Sequence, residues 1–313
     1  MNKNTGFSLP VTPHLRSEKG MALVITLMIL VIITAVVVEF SYGVYTTTAS
    51  LHNWKDSQRL SFVAGSGITL AVKTISDTQD LYAYTYPDRI ELPVENVLEG
   101  FKGSLLIRTE DENSKFNLNS LVAPNGITNN RAYDSFRRLL KNQGLDDTIS
   151  EWVADWIDKD NLPRMRDSES GSKNAYMESV DELLLIKGID EKTYEKLSPF
   201  VTVYGLGRTD SDLVNINTAP IPVIMSLDER ITGELAERII DYRSLSPFEA
   251  ASDIVRVAGF EGSLGTSLMG RIVVKASNFR ITSVAGENRI KRVIESVFEI
   301  RNSSNITRYW REY

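Results

Sequence analysis

Residues 19–40 read KGMALVITLMILVIITAVVVEF. From Met21 to Val38 eighteen residues carry no charge, and only Thr26 and Thr34 interrupt the apolar run. As a helix this stretch spans roughly 27 Å, close to the hydrocarbon thickness of a bilayer. Arg16 and Lys19 precede it and Glu39 follows. The positive-inside bias then places the N-terminus in the cytoplasm and the rest of the chain beyond the inner membrane. The segment has three readings: a removable signal peptide, a permanent anchor, or a segment that is cut and yet kept. A signal peptide has a shorter apolar region, about 7–15 residues, before a small-x-small site. Here the run is longer, and EFSYGVY beyond it holds no A-x-A.

No proline occurs between Pro13 and Pro87. Past the apolar run, Phe40, Val44, Leu51, Trp54, Phe62, Ile68, Val72 and Ile75 fall at helical spacing. The pattern predicts one helix from Met21 to about Ile75, its outer half amphipathic, with Gly43, Gly65 and Gly67 as soft points. An anchor followed by a separate helix is the alternative.

The 313 residues hold no cysteine, which excludes a disulfide framework, a thiolate metal site and a cysteine nucleophile. Histidine occurs only at His14 and His52, so a histidine-based catalytic or metal centre has almost nothing to be built from. The net charge is −6, and Lys3, Arg16 and Lys19 against Glu18 leave −8 on the chain after residue 20. An acidic body argues against nucleic-acid binding, which needs a basic face. No phosphate loop, dinucleotide fingerprint or Ser/His/Asp arrangement is present, and nothing supports an enzyme.

GSLLIRTE (Gly103–Glu110) has strand character. FRRLL, ISEWVADWI and VDELLLI within 131–186, and then 222–242 and DIVRVAG (Asp253–Gly259), carry helical apolar spacing. After Lys275 the period changes to two, and ASNFRITSVAG and IKRVIESVFEIR predict an antiparallel pair around Gly286-Glu287-Asn288. Strands at both ends with helices between them imply a sheet carrying a large helical insertion. Trp152 and Trp156 are expected as core anchors. Asp181-Glu182 are expected as a solvated helix start behind a Ser179 cap.

Lys19-Gly20-Met21-Ala22-Leu23 at the head of the apolar helix resembles the processing site of type IV pilins and type II secretion pseudopilins. QRLSFVAGSGITLAV (58–72), RTEDENSKFNLNSL (108–121), EWVADWIDKDNLPR (151–164), SVDELLLIKGID (179–190) and LVNINTAPIPVI (213–224) follow in the order of one pseudopilin family, general secretion pathway protein K. The resemblance covers most of the chain. It implies that a prepilin peptidase cuts between Gly20 and Met21, that the new amine is methylated, and that the apolar helix stays as anchor and filament core. It also implies an α+β fold: a long N-terminal transmembrane helix and a pilin-like antiparallel sheet with a large all-helical insertion of the SAM or helix-hairpin-helix kind. The expected divisions are a leader at 1–20, the helix at 21–75 (21–38 in the membrane), the first part of the head at 76–124, the insertion at 125–274 and the C-terminal strands at 275–313.

At the fifth position of the processed chain, where pilins carry glutamate, this sequence has Ile25. A buried carboxylate needs a partner, and a subunit with nothing ahead of it has none. The resemblance therefore implies a tip subunit that helps start pseudopilus assembly for protein export. Its implied partners are I- and J-type minor pseudopilins, other pseudopilins, the peptidase and secreted substrate. A tip minor pilin of a type IV pilus is the nearest alternative. DELLLIKGIDEKTYEKL (181–197) and GELAERIIDYRSLSPFEAASDIVRVAGF (233–260) resemble helix-hairpin-helix units, so a membrane-tethered DNA receptor is the alternative of another class. Asp155, Asp158, Asp160, Asp167 and Glu169 could gather oxygen ligands for calcium, or form a solvated loop before Pro163. Calcium binding in the inserted domain is a further implication of the resemblance.

Overall fold

The computed structural model describes residues 18–85, 89–94, 101–209, 211–288, 290–301 and 304–313. The leader expected at 1–20 lies outside these residues up to position 17. Two compact units divide the chain, Met1–Asp56 and Ser57–Tyr313. α1 (Glu18–Leu81) is a single helix, longer at both ends than the 21–75 expected. In its apolar segment the hydroxyls of Thr26 and Thr34 donate to the carbonyls of Leu23 and Leu30. The only two polar side chains of the run are thus satisfied within the helix, as a lipid environment requires.

In the second unit, α1 buries Leu60, Val63, Ala64, Ile68, Ala71 and Val72 against Leu105, Ile107, Phe279, Ile281, Ala285, Ile294 and Ile300. This i, i+3, i+4 stripe keeps Ile68 and Val72 of the expected spacing, with Ile75 packed beside it, but not the positions before them. Phe62 lies off it and is 66% exposed, as Leu51, Trp54 and Leu70 are also exposed. Nor is Gly67 a soft point. A Cβ there would come 2.4 Å from Ser283 Oγ, so the missing side chain allows the close approach of helix and sheet.

The sheet consists of β1 (Arg89–Val94), β2 (Ser104–Asp111), β7 (Asn278–Glu287), β8 (Ile290–Arg301) and β9 (Ser304–Glu312), in that spatial order and antiparallel throughout. β7 and β8 form the expected hairpin, with Asn288 at φ 57° in its turn. β9 adds a further strand at the end of the chain.

Between β2 and β7 the chain builds a helical body from two units of the same plan. The first has β3 (Phe116–Asn117), α2 (Asn130–Asn142), α3 (Ile149–Ile157), a 3-10 turn (Val180–Leu185), α4 (Glu191–Leu197) and β4 (Val201–Thr202). The second has β5 (Val214–Asn215), α5 (Ile221–Leu227), α6 (Gly233–Leu245), a 3-10 turn (Ala251–Arg256), α7 (Ser263–Leu268) and β6 (Ile272–Val273). β3 pairs in parallel with β4, and β5 with β6, in matching register. Each unit has a buried asparagine in the same role. Asn119 Nδ2 donates to the carbonyls of Met177 and Val203, and its Oδ1 accepts from the Met177 amide. Asn217 does the same with Phe248, Val274 and the Phe248 amide. Each amide side chain supplies hydrogen-bond partners to backbone groups far along the chain.

Each unit encloses its own apolar core, around Phe136, Leu139, Leu140, Val153 and Leu183 in the first, and around Ile224, Ile239, Phe248, Ile254 and Phe260 in the second. Because Phe116–Asn117 already pairs inside the first unit, the helical body begins well before residue 125. Buried polar groups tie it to the sheet. Asp111 Oδ2 accepts from Asn215 Nδ2 and Thr218 Oγ1, and Asn113 Oδ1 from the amides of Ser277 and Asn278. Glu112 is fully buried. Burial alone would raise its pKa, but Lys115 and Arg280 outweigh it and hold the carboxyl at about 2.

Candidate functional site

The connection from α3 to Met177 carries the acidic residues. Asp155 stands in the last turn of α3 and Asp158 caps it, its amide donating to the Ala154 carbonyl at 2.9 Å. Both side chains are fully buried. Carboxylates there face the negative end of the helix dipole and gain nothing from water, so the position demands cations.

Part of that demand is met by Arg164. Its Nη1 bridges Asp155 Oδ1 and Asp158 Oδ2. Its Nη2 donates to Thr128 Oγ1 at 3.0 Å, and its amide to Asp155 Oδ2 at 2.8 Å. Ser168 Oγ also donates to Asp155 Oδ2. Glu169 joins the cluster: one carboxylate oxygen from each of Asp155, Asp158 and Glu169 lies within 4.8 Å of the others. Both oxygens of Glu169 and Asp158 Oδ1 are buried without a hydrogen-bond partner among the described residues. Burial, then the charges of Asp158 and Asp155, push the Glu169 carboxyl up to about 7. Burial raises that of Asp158 too, against the pull of Arg164.

Of the five acidic residues expected here, three converge and two do not. Asp160 is exposed and accepts from the Leu162 amide at 2.8 Å, a turn-shaping role. Asp167 is exposed, adopts φ 67° and lies 3.8 Å from Lys187 Nζ. Arg164 and Ser168 complete the cluster without belonging to the acidic pattern; the arginine in DNLPR is the one signal of them that the sequence carries.

The far side of the loop is fixed by Glu182. It closes a capping box with Ser179 and accepts from Trp156 Nε1 at 3.1 Å and Lys173 Nζ at 2.9 Å. Glu182 is therefore an internal brace rather than a solvated helix start, and these donors overcome burial to lower its pKa. Trp156 is buried as expected, whereas Trp152 is half-buried with Lys187 Nζ 6.0 Å from its ring centroid.

The hairpins turn at Gly188 (φ 92°) and Gly259 (φ 96°). In each the residue two positions on carries a carboxylate that binds the chain's own amides. Asp190 Oδ1 accepts from the Thr193 amide, and Glu261 Oε2 from the Gly259 amide. A phosphate would meet an occupied donor and a negative charge at the second hairpin, which disfavours the DNA-receptor reading.

At the other end of the chain, Gly20, Met21 and Ile25 lie on α1, with Met21 and Ile25 exposed. The helix from Gly20 includes a window of mean hydropathy 3.1 with none of it buried, long and apolar enough to cross a membrane. His52 lies on the same helix, exposed to solvent.

Two family models, each described as type II secretion system (T2SS), protein K, match residues 114–206 and 214–275. These two ranges each enclose one helical unit. The type II secretion system protein K of Aeromonas hydrophila is 26% identical over 325 residues, 94% of this chain and 96% of that protein. That of Pseudomonas aeruginosa is 33% identical over 172 residues, 49% of each, so this match spans about half of that relative. A chain in the crystal structure of the GspK-GspI-GspJ complex from the enterotoxigenic Escherichia coli type 2 secretion system superposes with a TM-score of 0.65. That alignment covers 84% of this chain and 98% of the other at 18% identity, a likeness of fold.

Proposed function

Because the chain belongs to the type II secretion system protein K family, we propose that it caps the tip of the pseudopilus and helps to start its assembly. The observation that carries this reading is the bulk of the helical body inserted between β2 and β7. Subunits inside a filament are enclosed by neighbours, whereas a tip subunit has free space on one side. Ile25 supports the same place, since a tip subunit has no amine ahead of it for a carboxylate to pair with. α1 is then inner-membrane anchor before assembly and filament core after it, with the body on the periplasmic side. Prepilin peptidase acts between Gly20 and Met21. The solved structure of similar fold is of a complex of GspK with GspI and GspJ, and we take I- and J-type minor pseudopilins as the partners here.

The role is structural, exerted through surfaces rather than catalysis. A hard divalent cation such as calcium fits the acidic loop, because Asp158 Oδ1 and the Glu169 carboxylate are buried oxygens with no donor among the described residues. Asp158 and Glu169 would hold it beside Asp155, and the ion would supply positive charge that stiffens the loop.

Co-expression with prepilin peptidase and the I- and J-type subunits tests the main reading. The expected product begins at Met21 with a methylated amine, by mass spectrometry, and is purified with both partners from solubilised membranes. An N-terminus at Met1, or salt-dependent DNA binding with neither partner retained, would return the tethered-receptor reading to the front.

A further inference from the structure

We propose that Arg164 is a resident cation that closes the acidic side of the loop without a metal, so that the loop is formed before any metal arrives. The inference concerns the residues of the proposed calcium site but does not depend on a metal binding there.

Several of the loop's contacts converge on this one residue or on the carboxylate it holds. Nη1 spans Asp155 and Asp158, Nη2 reaches Thr128 at 3.0 Å, the amide binds Asp155 at 2.8 Å, and Ser168 Oγ binds the same Asp155 oxygen. Thr128 lies outside the loop, just before α2, so the guanidinium ties the loop to a second element of its unit. Without Arg164, two fully buried carboxylates would face each other at the negative end of α3. A planar guanidinium with several fixed donors suits this bridging better than an ammonium.

Charge sets what remains. Asp155, Asp158 and Glu169 carry three negative charges when ionised, against the one positive charge of Arg164, which leaves two. The cluster oxygens without a donor among the described residues are those Arg164 does not touch, Asp158 Oδ1 and both of Glu169. The arginine and one divalent cation can therefore serve different oxygens of the same cluster. The second helical unit has no such loop and closes the equivalent connection with Ser246-Pro247. The loop is thus dispensable for the plan of the unit, and Arg164 holds it to α3 and to the segment at Thr128.

The test is hydrogen exchange by mass spectrometry on the full chain in detergent, with EGTA or with calcium chloride, for the wild type and for Arg164→Gln and Glu169→Gln. In EGTA the wild-type peptides covering 158–176 should be protected, and Arg164→Gln should exchange there at least about tenfold faster while the second unit is unchanged. Glu169→Gln should keep the EGTA protection and lose any response to calcium. Equal protection of Arg164→Gln and wild type in EGTA would overturn the proposal, as would a wild-type loop already unprotected without metal. If Arg164→Gln opens the loop and calcium changes neither protein, the resident-cation role stands and the calcium reading fails.

Discussion

In the first helical unit, residues 158–176 carry the chain from α3 to Met177; in the second, Ser246 and Pro247 carry it from α6 to Phe248. The points they join are equivalent. Asn119 bonds Met177 across 58 positions, and Asn217 bonds Phe248 across 31, through the same side-chain atoms. The parts that the two units share, a parallel pair of short strands, a buried asparagine and a glycine hairpin, make each unit fold. The part that only one possesses holds buried carboxylates that cost stability and give the core nothing. Such a feature is where a binding role is to be sought.

Asn119→Ala and Asn217→Ala probe the shared part and should have the largest effects. Asn119→Ala removes the side-chain partner of the Met177 and Val203 carbonyls and of the Met177 amide, a loss of about 3 kcal/mol. Asn217→Ala does the same to the Phe248 carbonyl and amide, while the Val274 carbonyl keeps the Thr85 amide, so its loss should be somewhat smaller. Chemical denaturation should give losses within about 1 kcal/mol of each other. If one substitution is nearly silent, the units are alike in shape but not in what holds them.

The unshared part should show itself in pH dependence. With Glu169 at about 7 in the folded chain and 4.5 as its ordinary value, the native state binds more protons between those limits. Unfolding free energy should therefore fall as pH rises from about 4.5 to 7 in the presence of chelator. Solvent screening of a half-buried side chain holds the fall to about 2 kcal/mol. Glu169→Gln should flatten that slope, and calcium should oppose it at the upper end, where the carboxylate is free to bind. Thermal melts at a series of pH values are the measurement. A slope that survives Glu169→Gln would place the titrating group elsewhere.

The hairpins offer the smallest and most discriminating comparison. Gly188 and Gly259 have nearly the same positive φ, but a Cβ at Gly188 meets open space while one at Gly259 comes 2.6 Å from Leu235 Cδ2. Gly188→Ala should cost about 1 kcal/mol for backbone conformation alone. Gly259→Ala should cost more, by up to about 1 kcal/mol, as Leu235 gives way. Equal costs in denaturation would mean that Leu235 moves freely, and that packing around the two hairpins differs little.

Much of the frame was legible from local pattern. Helical spacing located α1 and the helical body, and period two located β7 and β8 with the turn between them. Ser179 was recognisable as a cap because its partner, Glu182, is three residues away. The duplication is harder to see, although FNLNS and VNINT both carry the N-x-N-[ST] pattern. Its meaning lies in backbone partners far along the chain. The buried face of α1 is hidden for a related reason. Apolar residues occur around much of its circumference, so periodicity does not distinguish the side that meets the sheet from the side with Phe62 and Leu70. Among the acidic residues, spacing could propose five but not select three, because selection depends on burial.

By itself the sequence determined those properties whose causes are local: an apolar run long enough to span a bilayer, the absence of cysteine chemistry, and the caps and turns set by neighbouring residues. Only the tertiary structure decided which carboxylates lose water together and which cation answers them. Desolvation and charge pairing act through space, and Arg164 reaches Asp155 and Asp158 only once α3, the loop and the segment at Thr128 have packed.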